Sequence, residues 1–514
     1  MQQQVYDVLV VGGGINGVGI ARDAAGRGLS VLLCEQDDLA RHTSSASTKL
    51  IHGGLRYLEY YEFGLVRKAL QEREVLLRSA PHIMWPLRFV MPHDRSMRPA
   101  MLIRAGLFLY DHLARREILP GSRGVDLRHH PAGAPLKSGY DKGFIYSDGW
   151  VQDARLVVLC AMDAREHGAE IVTRTRCIEA TRDGALWHVV LQAENGTRRR
   201  VSARALVNAA GPWVAEFVDQ VAGIGSQHRI RLVKGSHIVV PRLFAHHYAY
   251  LFQNPDKRII FAIPYEQDFT LIGTTDVEYQ GDPAQVRAGQ DEIDYLCEMA
   301  SRYFHKQVKP GDVVWHYSGV RPLLDDEASN AASVTRDYSL ELDECGAPLL
   351  SVFGGKITTF RKLAEEAVAR LQPLLGNDAA PWTATAPLPG GDMPAADFQS
   401  FLKLIKTLHP WLPVRLAERY ARSYGTRMAH FLAGARHLDD LGEEILPGLY
   451  RAEVDYLIQE EWARSAQDIL WRRSKLGLAV PADGEAVLTR WLKAYFASAT
   501  QENNGALMAA RLGA

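Results

Sequence analysis

Apolar positions fill Val5 to Val11 except at Asp7, running unbroken from Val8, then meet a glycine cluster, resume with helical spacing as far as Arg27, and gather again over residues 30–35. A continuous run of this length marks a strand buried on both faces, so the order reads strand, tight turn, helix, strand. Two later runs end in the same way. Residues 205–208 enter Ala209, Ala210, Gly211 and Pro212, and Leu349–Phe353 enters Gly354, Gly355 and Lys356. Buried parallel strands that stop in small residues leave room for a ligand at their carboxyl ends.

Residues 230–345 have a different texture. GSHIVVPR, YAYLFQN, RIIFAIPY and FTLIGTTD are short, β-rich segments separated by turn residues such as Asn254, Pro255 and Asp268. They predict an antiparallel sheet inserted into the parallel one. Beyond LPGGDMP, from about Thr385, the strand signal fades and amphipathic stretches such as AEVDYLIQEEWARSAQDILWRR take over, which predicts a helical C-terminal domain.

At 514 residues, 47% hydrophobic and 23% charged, the chain is long enough for more than one core and has the usage of a folded protein. A formal net charge of -1 leaves no overall basic field, so a nucleic-acid partner is not expected and any cationic site has to be local. Cys34, Cys160, Cys177, Cys297 and Cys345 are scattered without C-x-x-C spacing. No metal site is expected from them, and a reducing, cytoplasmic setting is. The opening MQQQVYDVLVV has no basic segment ahead of its apolar run, and nowhere do about eighteen apolar residues follow one another. Membrane contact is therefore expected to be peripheral.

Gly12, Gly14 and Gly17, with Ile15 and Asn16 between them, form G-x-G-x-x-G at the strand-to-helix turn. Absent side chains there let backbone N–H groups approach a pyrophosphate at the helix N-terminus. Glu35 closes the second strand, where a carboxylate accepts hydrogen bonds from an adenosine ribose and repels a 2'-phosphate. FAD and NAD share this fingerprint. The next segment favours FAD: Thr43, Ser44, Ser45, Ser47, Thr48 and Lys49 form a hydroxyl-rich loop suited to a diphosphate, and His52, Gly53 and Gly54 suit the face of a flat ring.

The stretch TSSASTKLIHGGLRYLE resembles the flavin loop of the FAD-dependent glycerol-3-phosphate dehydrogenases, and the likeness continues through GFIYSDGWVQDARLV, NAAGPWV, RLVKGSHIVVPR, FTLIGTTDVEY, WHYSGVRPLL, TRDYSL, SVFGGKITTFRKLAE and YLIQEEWARSAQDILWRRSKLGL. Ala210, Thr48 and Phe360 stand where that family commonly has Thr, Ser and Tyr. The resemblance is to the aerobic bacterial form. It implies a glutathione-reductase-like FAD-binding domain over 1–90, 145–229 and 346–375, a substrate-binding and membrane-facing domain over 91–144 and 230–345, and an all-α domain over 385–514. It further implies FAD contacts at Cys177, Ala210, Gly211, Pro212, Trp213, Gly355, Lys356, Thr358 and Thr359. Its substrate would be sn-glycerol 3-phosphate and its electron acceptor ubiquinone or menaquinone. A homodimer on an anionic lipid surface, at the cytoplasmic face of the inner membrane, completes the expectation.

A phosphomonoester needs cations, and arginine's planar fork suits it. Arg56, Arg336 and Lys356, with the Tyr57 hydroxyl, are the candidates. Oxidation of a secondary alcohol needs orientation and a proton acceptor, for which His237 and His52 are both candidates, with Arg321 beside the reacting oxygen. An oxidase passing electrons to oxygen and a non-catalytic FAD-binding protein remain as alternative readings. One further segment stands out: RPAMLIRAGLFLYDHLARR. Met101, Leu102, Ile103, Leu107, Leu109, Tyr110 and Leu113 give a wide apolar face, Arg104, Asp111 and Arg115 a narrow stripe, and Arg95, Arg98, Arg116 and Arg123 basic flanks. This is either an interfacial membrane helix or a core helix.

Overall fold

The computed structural model describes residues 4–94, 97–225, 230–256, 258–324 and 337–512. Arg95 and Arg336 lie outside the described residues. The chain divides into two compact units, 1–396 and 397–514.

The first unit is built on two sheets. One carries the order Ser339–Asp343, Leu349–Phe353, Arg198–Asn208, Val5–Val11, Val31–Cys34, Glu170–Val172. Its neighbours from Leu349–Phe353 to Glu170–Val172 are parallel, and their apolar stretches, such as 205–207 and Val31–Cys34, are buried. Register brings Val11 level with both Asn208 and Cys34, so three strands stop together and their carboxyl ends share one edge. The Ile15–Gly26 helix packs behind that edge against Asp153–Glu166 and Phe360–Leu375.

Among the described residues the second sheet has ten strands, nearly all antiparallel. At its centre, Ile230–Pro241 lies between Phe269–Gly273 and Trp315–Leu324, with His237 opposite Gly273 on one side and Tyr317 on the other. The Gln290–Tyr303 helix covers one face, packing Leu296 and Ala300 on Ile238, Val240 and Ile272. The second unit contains the helices Phe398–Leu408, Val414–Tyr424, Arg451–Glu460 and Gly484–Leu512. Asp397 caps the first of these by accepting from the Gln399 and Ser400 amides at 3.0 and 3.1 Å.

The expected domain limits cut through strands. Met84–His93 and Lys142–Val151 pair with each other in the second sheet, although 84–90 and 145–151 read as part of the parallel domain. Conversely, Ser339–Asp343 joins the first sheet by pairing with Leu349–Phe353. Apolar content could not separate these strands, because both sheets bury both faces there. The C-terminal unit is also not wholly α: Glu444–Leu446 and Leu449–Tyr450 form a small antiparallel ladder.

Candidate active site

The first strand enters the glycine turn with Gly12 at φ 112°, a conformation that disfavours any L side chain, and a Cβ there would lie 2.4 Å from the Ala209 carbonyl oxygen. A Cβ on Gly17 would lie 1.9 Å from the Gly12 carbonyl oxygen, so the helix and the turn close only with glycine at both ends. Glu35 is buried beside them. Its Oε2 accepts from the Gly13 amide at 2.6 Å and its Oε1 from the Asp37 amide at 2.8 Å. Burial pushes its carboxyl up, and those two amides pull it back down.

A cleft opens over this turn. Gly12, Gly14, Glu35, Thr43, Ser44, Cys177 and Ala210 to Trp213 all line it, so residues separated by nearly two hundred positions meet in one place, as the sequence pattern required. The cleft fits a dinucleotide: a glycine cradle that a Cβ would fill, amides at a helix start, and a carboxylate at the end of the second strand. Ser44 Oγ accepts from the Ile15 amide at 3.0 Å, tying the hydroxyl loop to the helix N-terminus. On the far side of the turn, Asn16 Nδ2 donates to the Gly354 carbonyl at 3.0 Å while its Oδ1 is buried without a hydrogen-bond partner.

Ser45 Oγ donates within the loop to the His42 carbonyl at 3.3 Å, whereas Ser47 and Lys49 face another way than the sequence suggested. The Lys49 ammonium is completely buried and donates to both oxygens of Asp153, each at 2.9 Å, and to the Ser45 carbonyl at 3.1 Å. Ser47 Oγ donates to Asp153 Oδ2 at 2.8 Å. These side chains fasten the loop to the start of the Asp153–Glu166 helix rather than reaching into the cleft. The physical reason is charge: a buried ammonium needs its carboxylate. Thr43 Oγ1 donates to the Val320 carbonyl at 2.8 Å, joining the same loop to the second sheet.

The expected substrate-side residues gather around this junction. Lys356 Nζ lies 3.8 Å from the centre of the Tyr57 ring. Arg56, next to Tyr57 and half-buried, makes no hydrogen bond or ion pair among the described residues. Gly354 at φ 71° and Gly355 at φ 98° turn the chain sharply beside the Pro322 carbonyl, which sets Lys356 near the Arg321 strand. Arg321 pairs with Asp276 and donates to Thr274 Oγ1 at 3.3 Å. Thr358 and Thr359 are buried at the head of the Phe360–Leu375 helix, and Thr358 Oγ1 accepts from the His52 amide at 3.3 Å. Gly53 gives its amide to the Tyr110 hydroxyl at 2.8 Å, and a Cβ on Gly54 would collide with the Tyr57 ring at 2.2 Å.

His237 is 1% exposed. Its Nε2 lies 3.0 Å from Thr48 Oγ1, its Nδ1 is buried without a hydrogen-bond partner, and its ring stacks on Tyr317 at 4.8 Å. Burial, then the charges of Lys49 and Arg321, hold the imidazole well below its ordinary range. The ring is thereby favoured in its neutral form.

Several supporting residues escaped the sequence reading. Gln36, Arg41, His42, Arg176 and Glu216 also line the cleft. Asp148 receives Arg73 at 2.6 Å and the Tyr110 hydroxyl at 2.7 Å, all three buried, and so fixes the chain at Gly53. Glu292 takes Ser236 and Thr275 on Oε1 and Lys234 on Oε2, tying three segments together beside His237. Asp148 and Asp153 stand in GFIYSDGWVQDARLV, where two acids in an apolar segment were the available signal.

The profile of the FAD dependent oxidoreductases matches residues 7–361, and that of the C-terminal domain of alpha-glycerophosphate oxidase matches 381–497. A glycerol-3-phosphate dehydrogenase of Pseudomonas aeruginosa is 56% identical over 95% of both chains. The chain belongs to the FAD-dependent glycerol-3-phosphate dehydrogenase family. The aerobic glycerol-3-phosphate dehydrogenase of Escherichia coli is 51% identical, covering 96% of this chain and 98% of that one. A D-erythritol 1-phosphate dehydrogenase of Brucella abortus is 52% identical, covering 95% and 98%. The solved glycerol-3-phosphate dehydrogenase of Bacillus halodurans, complexed with FAD, superposes with a TM-score of 0.79 at 26% identity, covering 97% of this chain and 92% of that one. As a member of this family the protein is a flavin oxidoreductase: FAD is its cofactor, in the glutathione-reductase-like fold with an inserted antiparallel sheet and a helical C-terminal domain.

Proposed function

We propose that this dehydrogenase oxidises sn-glycerol 3-phosphate at C2 to dihydroxyacetone phosphate and delivers the electrons to a membrane quinone. The observation that carries the substrate is the cationic corner at Arg56 and Lys356. A half-buried guanidinium with no protein partner among the described residues is costly unless an anion completes it. Lys356, held against Tyr57, adds a second charge at the head of the Phe360–Leu375 helix, whose N-terminus favours negative charge as well. Bound FAD supplies the hydride acceptor. The chain supplies the phosphate clamp, the orientation of C2 and, through Arg321, positive potential beside the reacting oxygen.

Anaerobic addition of glycerol 3-phosphate to the holoenzyme should bleach the flavin, and glycerol should not. The relative from Brucella makes D-erythritol 1-phosphate the second substrate to compare, because the same corner would hold its phosphate. Faster bleaching by the erythritol phosphate would replace the assignment. Arg56→Ala should raise KM by about tenfold to a hundredfold, the equivalent of one lost charge-assisted hydrogen bond of roughly 1.5–3 kcal/mol, with FAD content unchanged. Wild-type kinetics in that variant would remove Arg56 from the clamp.

Quinone lies in lipid, and the Ala100–His112 helix offers a surface that could reach it. Met101 is 86% and Phe108 59% exposed, with Leu102 and Leu109 beside them, and the neighbouring Tyr60, Tyr61 and Phe63 are exposed too. Leu107 and Tyr110 point inward, so the apolar face expected from the sequence divides into two opposite faces. The flanking charges are also less free than expected: Arg98 pairs with Glu59, Arg116 with Asp111, and Arg104 donates to Ser122. Replacing Met101 and Phe108 by Ser, leaving Leu107 intact, should abolish co-sedimentation with anionic vesicles and quinone reduction while dye reduction persists. Undiminished sedimentation would discard this face as the membrane contact.

A further inference from the structure

We propose that His237 acts as a neutral N–H donor that positions Thr48, and that the Thr48 hydroxyl in turn donates a hydrogen bond to the substrate oxygen being oxidised. The inference rests on the substrate reading above and assigns a residue that reading leaves unused.

The argument begins with the proton on the imidazole. A neutral ring carries one N–H, on Nδ1 or on Nε2. Nδ1 is buried and has no hydrogen-bond partner among the described residues, whereas Nε2 lies 3.0 Å from Thr48 Oγ1. A buried N–H without an acceptor is rarer and costlier than a buried lone pair without a donor, so the proton belongs on Nε2 and points at Thr48. Burial and the nearby charges of Lys49 and Arg321 oppose a second proton on the ring.

With Nε2–H donating, Thr48 Oγ1 is an acceptor in this bond, and its own proton has to go elsewhere. Thr48 is half-buried and makes no other hydrogen bond among the described residues. Its neighbours are both anchored inward: Ser47 by Asp153, and Lys49 by the same carboxylate with its backbone at φ 61°. The loop that carries Thr48 is tied through Thr43 to the Trp315–Leu324 strand, which also carries Arg321, and Thr48 keeps part of its surface exposed. A hydroxyl donor on this loop, with the positive charge of Arg321 acting at its His237 partner, is suited to an oxygen that gains negative charge as hydride leaves its carbon. His237 never meets the substrate in this arrangement; it is a positioning residue.

Glutamine separates this from a base, since its amide can donate but cannot accept a proton at physiological pH. Anaerobic stopped-flow reduction should show Thr48→Val slowed on the order of 10²-fold. Thr48→Ser should stay close to wild type. His237→Ala should fall like Thr48→Val, His237→Gln should recover to within about tenfold of wild type, and the double variant Thr48→Val/His237→Ala should be no slower than either single one. FAD content and the oxidised flavin spectrum of each variant report folding, and titration of that spectrum with dihydroxyacetone phosphate reports binding independently of turnover. An equal loss in His237→Gln and His237→Ala would make the imidazole a base and overturn the proposal, as would an unchanged reduction rate in Thr48→Val. If wild type is not bleached by glycerol 3-phosphate, the substrate reading fails instead.

Discussion

Gly12→Ala should purify without flavin. The residue sits at φ 112°, and the new methyl would lie 2.4 Å from the Ala209 carbonyl oxygen, a backbone atom that cannot swing aside without moving the strand end. Strain of this kind costs about 1–3 kcal/mol from the backbone conformation alone, and the steric overlap adds a comparable amount. Relief would come from separating the Val5–Val11 and Arg198–Asn208 strand ends, which widens the cradle that the cofactor needs closed. The absorbance ratio of flavin to protein after gel filtration measures the effect, which should exceed a hundredfold loss of affinity, the equivalent of about 2.7 kcal/mol. A variant that keeps one FAD per chain would show that the turn has more slack than its contacts allow. Alanine at Gly28, where a Cβ would meet nothing within 4 Å, is the matched control: it bears the cost of positive φ without the collision.

Lys49→Met should cost about 3–5 kcal/mol of stability, because it leaves the Asp153 carboxylate buried with the Ser47 hydroxyl and the Ala154 amide but no countercharge. Breaking this pair also frees the loop that carries Thr43, Ser44 and Thr48, so flavin retention should fall together with the melting temperature. Differential scanning fluorimetry of Lys49→Met, Asp153→Leu and the double variant tests the cause. The double variant should melt above either single one, since removing both charges removes the unpaired charge that each single substitution leaves behind. Additive losses would mean that the two residues act separately and that the pair is not what holds the loop.

The glycine turn shows how directly sequence can dictate geometry. Spacing in G-x-G-x-x-G requires close backbone approach at two points, and the structure closes Gly12 on Ala209 and Gly17 on Gly12 at those points. The carboxyl-end cleft has a related origin: the buried strand stops in small residues, and Ala209 to Trp213 line the cleft there. Sheet membership was less legible. Met84–His93 and Lys142–Val151 carry the same apolar content as parallel core strands, and only their partner along the hydrogen-bonding edge assigns them to the second sheet.

Sequence by itself therefore determined the elements, the FAD cradle and the family, because those depend on periodicity and on local backbone freedom. It did not determine the direction in which individual polar side chains point. Ser47 and Lys49 look like cofactor ligands in a hydroxyl-rich loop, yet they turn inward because Asp153, 104 residues away from Lys49, supplies the charge that a buried ammonium requires. His237 is legible as a candidate proton acceptor, whereas its burial beside Thr48 and Tyr317, which disfavours the protonated ring, is not. The Ala100–His112 helix reads as one wide apolar face beside a narrow charged stripe, and only packing decides that Leu107 and Tyr110 face the protein while Met101 and Phe108 do not. In each case the deciding interaction is with a residue far away in the chain, and a local pattern carries no information about a partner that only folding brings near.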